Sequence, residues 1–209
     1  MDLQRTGEMF VYVSEQVVAA KDLLTRMDKA IGDGDHGIGM AKGFGAVREA
    51  VEGRDFADLA GLFKAAGLAF MASAGGASGA IFGTLFQGAA PKLADRRTFD
   101  AQALAVFLGE GLAAVRKRGK AEVGQKTMVD ALAPAAKAAE SQTAGTLPEA
   151  AQAAAEAARL GMEKTKEMTA TLGRARYLGE RALGHPDPGA VSTHLILESM
   201  AEFIARENG

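Results

Sequence analysis

Met27-Asp28-Lys29-Ala30-Ile31-Gly32-Asp33-Gly34-Asp35-His36-Gly37 is the stretch whose context decides the fold. Upstream of it, Phe10, Val13, Val17, Ala20, Leu24 and Met27 step by three and four, which places them on one face of a helix. Gly32-x-Gly34-x-x-Gly37 matches the dinucleotide-binding fingerprint letter for letter. That fingerprint works only after a β-strand in a βαβ unit, where the glycines let a pyrophosphate approach the helix start. A long helix precedes it here, so the Rossmann reading fails. No Gly-x4-Gly-Lys-Ser/Thr loop occurs, and the companion motifs of the protein-kinase glycine loop are missing.

Outward from this stretch the same period recurs. Leu59, Leu62, Phe63, Ala66 and Phe70 form one stripe. Leu104, Phe107, Leu108, Leu112 and Val115 form another, and Ile196, Met200, Phe203 and Ile204 a third. Alternating strand patterns are almost absent, and Ala150 to Ala158 is rich in the best helix former. Breakers divide the chain into eight expected helices over 3–29, 37–53, 56–74, 78–94, 100–117, 126–142, 147–171 and 188–206. Asp187-Pro188 reads as an N-cap followed by proline at the first helical position, and Pro148 with Glu149 suits another helix start. The expectation is an all-α chain with residues 1–209 as one domain.

Composition narrows the function classes. With 209 residues, 48% hydrophobic and 24% charged, the chain can bury a core. Its net charge is −2, and Arg116-Lys117-Arg118 with Lys120 is the densest basic patch, so a nucleic-acid partner has little electrostatic support. There is no cysteine, which removes disulfides, thiolate metal sites and cysteine nucleophiles and is compatible with the cytoplasm. Neither a signal peptide nor a membrane span is expected.

The polar chemistry sits in four glycine-rich loops: Ala30 to Gly39, Ala74 to Gly79, Gly119 to Lys126 and Leu172 to Gly189. If the eight helices alternate up and down, all four loops meet at one pole, with the starts of four helices. Unpaired N–H groups and positive helix ends suit a polyanion such as a nucleotide diphosphate. Asp28, Asp33 and Asp35 are crowded carboxylates beside those ends. An oxygen-only set fits Mg²⁺, Mn²⁺ or Ca²⁺, and a solvated Asp/Gly turn is the plain alternative. His36 can donate to a phosphate, orient an aspartate or serve the helix cap. Arg174 and Arg181 flank the last loop, where a forked phosphate contact competes with a surface ion pair.

Taken together, the four loops resemble a known family. Met27 to Gly37, Gly75-Gly76-Ala77-Ser78-Gly79, Gly119-Lys120-Ala121-Glu122-x-Gly124, and Gly173-Arg174-Ala175-x-Tyr177-Leu178-Gly179-Glu180-Arg181 continuing through Gly184-His185-x-Asp187-Pro188-Gly189-Ala190 are similar to the dihydroxyacetone kinase L subunit of the DAK2-domain family, in the same order. The resemblance implies an eight-helix antiparallel up-down barrel with the nucleotide capping one end. It implies two Mg²⁺ on Asp28, Asp33 and Asp35, and nucleotide contacts at His36, Gly37, Ile38, Gly39, Ala77, Ser78, Gly119, Met128, Arg174, Asp187, Pro188 and Gly189. Gly119 and Met128 would border the adenine. Three positions depart from the family pattern: Gln125 replaces an acidic residue, Gly39 an Asn or Thr, and Arg176 a small residue.

The function so implied is phosphoryl transfer from Mg-ADP/ATP on this chain to dihydroxyacetone or a related short ketose on a separate K subunit. The donor would be a phosphohistidine protein of the phosphotransferase system. The alternatives are an ATP-dependent two-subunit triose/tetrose kinase and a nucleotide-binding regulatory module. No acid or base is expected from this chain, and a homodimer is left open.

Overall fold

The three-and-four spacing of apolar residues becomes helix after helix in the computed structural model, which describes residues 1–206. Among these the α-helices are α1 (Leu3–Ala19), α2 (Lys21–Ile31), α3 (His36–Val51), α4 (Leu59–Ala74), α5 (Gly76–Ala89), α6 (Ala101–Gly119), α7 (Val129–Ser141), α8 (Leu147–Lys164) and α9 (Pro188–Arg206). Short 3₁₀ segments cover Ala90–Leu93, Thr165–Glu167 and Arg174–Ala182. The described residues contain no strand.

Two expected helices differ from those observed. The first, 3–29, divides at Ala20, whose ψ of 2° turns the axis. Helical hydrogen bonds from Ala20 N to the Gln16 carbonyl and from Leu24 N to the Ala20 carbonyl still run through the bend. The seventh, 147–171, stops at Lys164, where the Thr165 carbonyl is taken by the Lys126 ammonium at 2.5 Å. Arg174–Ala182 carries no apolar period and was expected only as loop.

Eight helices close a ring. Contacts run from α1 to α3, then through α4, α5, α6, α7, α8 and α9 in chain order, and α9 returns to α1. The shorter α2 packs on α3 and on the 3₁₀ segment Arg174–Ala182. Phenylalanines fill the ring: Phe63 lies 5.1 Å from Phe10 and 4.9 Å from Phe107, and Phe44 lies 5.2 Å from Phe70, all between ring centroids. Helices α4 and α5 touch backbone to backbone. A Cβ on Gly67 would stand 2.8 Å from the Gly83 carbonyl oxygen, so only glycine permits that approach.

The two poles differ in how helix starts are satisfied. At one, the starts of α1, α4 and α6 are tied together by bonds from Phe99 N to the Met1 carbonyl and Leu59 N to the Arg96 carbonyl. There Asp2, Asp58 and Asp100 cap α1, α4 and α6 through Arg5 N, Gly61 N and Ala103 N, at 2.9, 2.8 and 2.8 Å. Helix α8 likewise starts in a reciprocal Thr146–Glu149 capping box. At the opposite pole α3, α5 and α7 begin with no hydrogen bond from the cap side chain. Part of the first turn of α3 and of α7 is met from elsewhere, His36 N by Asp28 Oδ2 and Val129 N by Thr127 Oγ1, so the start of α5 is the most open of the three.

Candidate functional site

The uncapped pole holds a cavity of about 500 Å³. Its walls come from the α2–α3 turn, the α4–α5 turn, the residues before α7, Leu172 to Ala175 after α8, and the start of α9.

Asp28 is the buried anchor. It sits in the last turn of α2, and its Oδ2 accepts the backbone N–H of Gly34 at 2.9 Å and of His36 at 3.1 Å. Gly34, at φ +79°, turns the chain back over this carboxylate. Asp33 and Asp35 flank the turn and are exposed. One oxygen from each of Asp28, Asp33 and Asp35 lies within 4.8 Å of the others. Burial, then the charges of Asp33 and Asp28, push the Asp35 carboxyl up. Three crowded carboxylates, one of them held above its usual range, are a set that a hard divalent cation relieves. Arg174 reaches across and pairs with Asp33 at 2.7 Å.

His36 opens α3, and its buried ring bridges two helices. Nδ1 lies 3.1 Å from Ser78 Oγ on α5, and Nε2 lies 2.7 Å from Ser192 Oγ on α9. Burial pulls its pKa down. Ile38, Gly39, Ala77, Ser78, Met128, Arg174, Asp187, Pro188 and Gly189 all line the cavity with the three aspartates and His36. Two expected contacts stand elsewhere. Gly37 is pressed against α2, where a Cβ would meet the Lys21 carbonyl oxygen at 2.3 Å, so its side chain position serves helix packing. Gly119 is outside the lining and packs near Ile81, which is inside it.

Several polar residues carry the site without any signal in the helical period. Lys126 is 1% exposed, and its ammonium donates to the carbonyls of Thr165 at 2.5 Å and His185 at 2.6 Å. Burial pulls its pKa down, against the opposing charges of Asp187 and Asp130. Buried Asp130 accepts from Gly124 N at 2.5 Å and Thr127 N at 2.7 Å, which folds the loop ahead of α7. Asp187 caps α9 by accepting from Ala190 N at 2.8 Å, and burial pushes its carboxyl up to about 7. The cavity also takes in Lys42 and Phe82.

The departures find local explanations. Gln125 Oε1 accepts from Glu122 N at 2.8 Å, closing a turn that needs an acceptor but no charge. Gly39 faces the Ala74 carbonyl, 3.2 Å from where a Cβ would stand. The Arg176 guanidinium lies 4.7 Å from the centroid of the Tyr177 ring, on a 73% exposed tyrosine. Of the remaining histidines, exposed His185 contributes its carbonyl, and His194 lies 3.6 Å from Glu198 along α9.

A closed ring of antiparallel helices, with a cavity lined by three carboxylates at one end, defines an all-helical ring domain. More particularly, the chain belongs to the DAK2 domain family, which matches residues 30–202. It is 42% identical over 188 residues to the PEP-dependent dihydroxyacetone kinase 1, ADP-binding subunit DhaL, of Listeria innocua, covering 90% of each chain. Against the PEP-dependent dihydroxyacetone kinase ADP-binding subunit DhaL of Escherichia coli it is 37% identical, covering 95% of this chain and 92% of that one. Among solved structures, the dihydroxyacetone kinase of C. freundii in complex with AMP-PNP and Mg²⁺ superposes with a TM-score of 0.74 at 29% identity. That match covers 94% of this chain and 33% of the kinase, so the chain spans about a third of that protein's length.

Proposed function

We propose that this chain is the nucleotide-binding subunit of a dihydroxyacetone kinase. It holds Mg-ADP/ATP at the uncapped pole and passes a phosphoryl group to dihydroxyacetone, or a related short ketose, on a separate K subunit. The donor in this reading is a phosphohistidine protein of the phosphotransferase system. The observation that carries it is the cluster of Asp28, Asp33 and Asp35 beside the uncapped starts of α3 and α5. The relatives that match over nine-tenths of both chains are named as ADP-binding subunits, which supports it. Residues 1–209 act as one domain in the cytoplasm, and a homodimer is not part of the reading.

The three aspartates would hold Mg²⁺, two ions in the full proposal, and the metal supplies charge neutralisation for the phosphates. The chain's own residues do the rest. Ala77 and Ser78 in the first turn of α5, with Ile38 and Gly39 in that of α3, line the cavity where phosphate would sit, and Arg174 has a guanidinium in reach of Asp33 that can pair with phosphate instead. The acceptor hydroxyl is activated on the partner, so no acid or base is assigned here.

The test is a titration with ADP, with and without Mg²⁺, on the wild type and on Asp33→Ala and Asp35→Ala. Both variants should lose Mg²⁺-dependent binding, and unchanged affinity in both would overturn the metal assignment. An ATP-dependent kinase subunit is the second reading. It is favoured by the 39% identity to an L-erythrulose 1-kinase of Mycolicibacterium smegmatis, of which the chain covers 34%. ADP that copurifies and survives dialysis supports the first reading, whereas turnover on ATP with the substrate subunit alone supports the second. No product under either donor would point to a regulatory module.

A further inference from the structure

A serine stands in the first turn of α5, the most open helix start at the cavity. Ser78 is half-buried and lines the cavity beside Ala77. A serine in such a place can turn its oxygen back onto nearby backbone N–H groups of its own helix. Here Ser78 Oγ lies instead 3.1 Å from Nδ1 of His36, and α5 begins with no hydrogen bond from a cap side chain. Phe82, one turn beyond Ser78, packs beside the same ring with 6.3 Å between centroids.

The other edge of the His36 ring is held by α9. Nε2 lies 2.7 Å from Oγ of Ser192, which is 0% exposed. The ring also bonds to the backbone of Pro188, one turn earlier on α9. A proline backbone offers a carbonyl and no N–H, so the ring nitrogen facing α9 must donate. A neutral imidazole has a single N–H. With that hydrogen on Nε2, Nδ1 keeps its lone pair, and the Ser78 hydroxyl is the partner that donates to it. Ser192 itself is not in the cavity lining, so its effect on a ligand must pass through the ring.

We propose that Ser192 is a positioning residue: with the Pro188 carbonyl it holds the His36 ring in the Nε2–H form, and the bare Nδ1 takes the Ser78 hydroxyl hydrogen and keeps that side chain off the first N–H groups of α5, leaving them to a phosphate of the bound nucleotide. Three helices, α3, α5 and α9, are thereby joined through one imidazole at the wall of the cavity. The proposal rests on the cavity being the nucleotide site.

The experiment uses the full chain at about pH 8, where an unperturbed imidazole is neutral. Long-range nitrogen–proton spectra of ¹⁵N-histidine-labelled, nucleotide-free protein tell the two ring forms apart. The chain has 3 histidines, and His185→Asn and His194→Gln assign their signals. The wild type should show His36 as Nε2–H. In Ser192→Ala, a change of one oxygen, the Nδ1–H form should appear. That variant should bind ADP with Mg²⁺ roughly three- to tenfold more weakly, the fold-change that one hydrogen bond is worth. Adenosine, competing with a fluorescent ADP, should bind both proteins equally, since the effect is at the phosphate end. An Nδ1–H ring in the wild type overturns the proposal, and so does a folded Ser192→Ala with wild-type ADP affinity. An equal loss for adenosine would mean general damage to the cavity and overturns it too. If Ser192→Ala does not fold, the wild-type spectrum decides. A wild-type chain that binds no ADP sinks the functional reading, while the spectrum still judges the hold on His36.

Discussion

At the scale of single residues, Gly37 and Asp187 show how the site depends on close packing and burial. A methyl group on Gly37 would meet the Lys21 carbonyl oxygen at 2.3 Å and Thr25 N at 2.6 Å, both backbone-held. Gly37→Ala should therefore force α2 and α3 apart and lower the unfolding free energy by about 1–3 kcal/mol, as read by urea denaturation. Asp187 gives a pH signature. Its carboxyl stands at about 7 when folded, against an unfolded value near ~4. Between those values the folded chain keeps a proton that the unfolded chain has lost, so stability falls as pH rises from about 4 to about 7 and then levels. Asp35, also raised, acts in the same direction. The difference between wild type and Asp187→Asn isolates the first group, since asparagine keeps an acceptor for Ala190 N. Denaturant midpoints across that range should slope less in the variant, and an equal slope would refute the assignment. Lys126 is the residue sequence reading had no means of finding. A lysine is expected at the surface, and nothing in its neighbours' spacing says that two carbonyls 39 and 59 positions away will enclose its ammonium.

At the scale of elements, the helices divide into those capped by their own sequence and those left open. Asp58 caps α4 through Gly61 N and also accepts from Asp95 N at 2.9 Å, and these backbone bonds hold its carboxyl below the usual range. Asp58→Ala should cost about 1–2 kcal/mol and leave ADP affinity at the wild-type value, because the far pole carries no part of the site. The start of α5 behaves oppositely. Gly75 has φ +67° and ψ 176°, a region open to glycine, with nothing within 4 Å of an added Cβ. Gly75→Ala should strain the turn by about 1–3 kcal/mol and weaken nucleotide binding, measured by calorimetry. Stripes at helical spacing were legible because one face is buried along each helix. Leu59, Leu62, Phe63, Ala66 and Phe70 are all fully buried, whereas Leu112 and Phe203 remain partly exposed at the edges of their stripes. The 3₁₀ segment Arg174–Ala182 was not legible, because its apolar residues seat on Ile31 of a distant helix rather than along a face of their own.

At the scale of the whole molecule, ring closure and ligand binding are thermodynamically linked. A ligand that binds only the folded chain adds about 2.7 kcal/mol at a hundredfold excess over its Kd, roughly 5–10 °C in Tm for a chain of this size. Mg-ADP should raise the melting temperature by that order, and EDTA should reverse it. A Tm indifferent to both would argue against a nucleotide at the uncapped pole. The ring interior sets the other limit. Phe86, 2% exposed, stacks at 5.9 Å on Phe107 and lies 5.7 Å from Phe10, so Phe86→Ala should cost about 3–5 kcal/mol in a chemical denaturation.

The sequence by itself determined the all-helical class, eight of the helical segments and the four glycine-rich loops, because burial of one helix face and the demands of turns are written in local spacing. Its loop order and the family resemblance marked Asp28, Asp33 and Asp35 as one group, and the fold brings an oxygen of each within 4.8 Å of the others. Only the tertiary structure decided that α2 leaves the ring at Ala20, that Gly37 packs against α2 while Gly39 lines the cavity, and that the Lys126 ammonium donates to the carbonyls of Thr165 and His185. Those outcomes depend on which backbone carbonyls and helix starts meet across the ring, and such pairings belong to distances in space rather than to spacing along the chain.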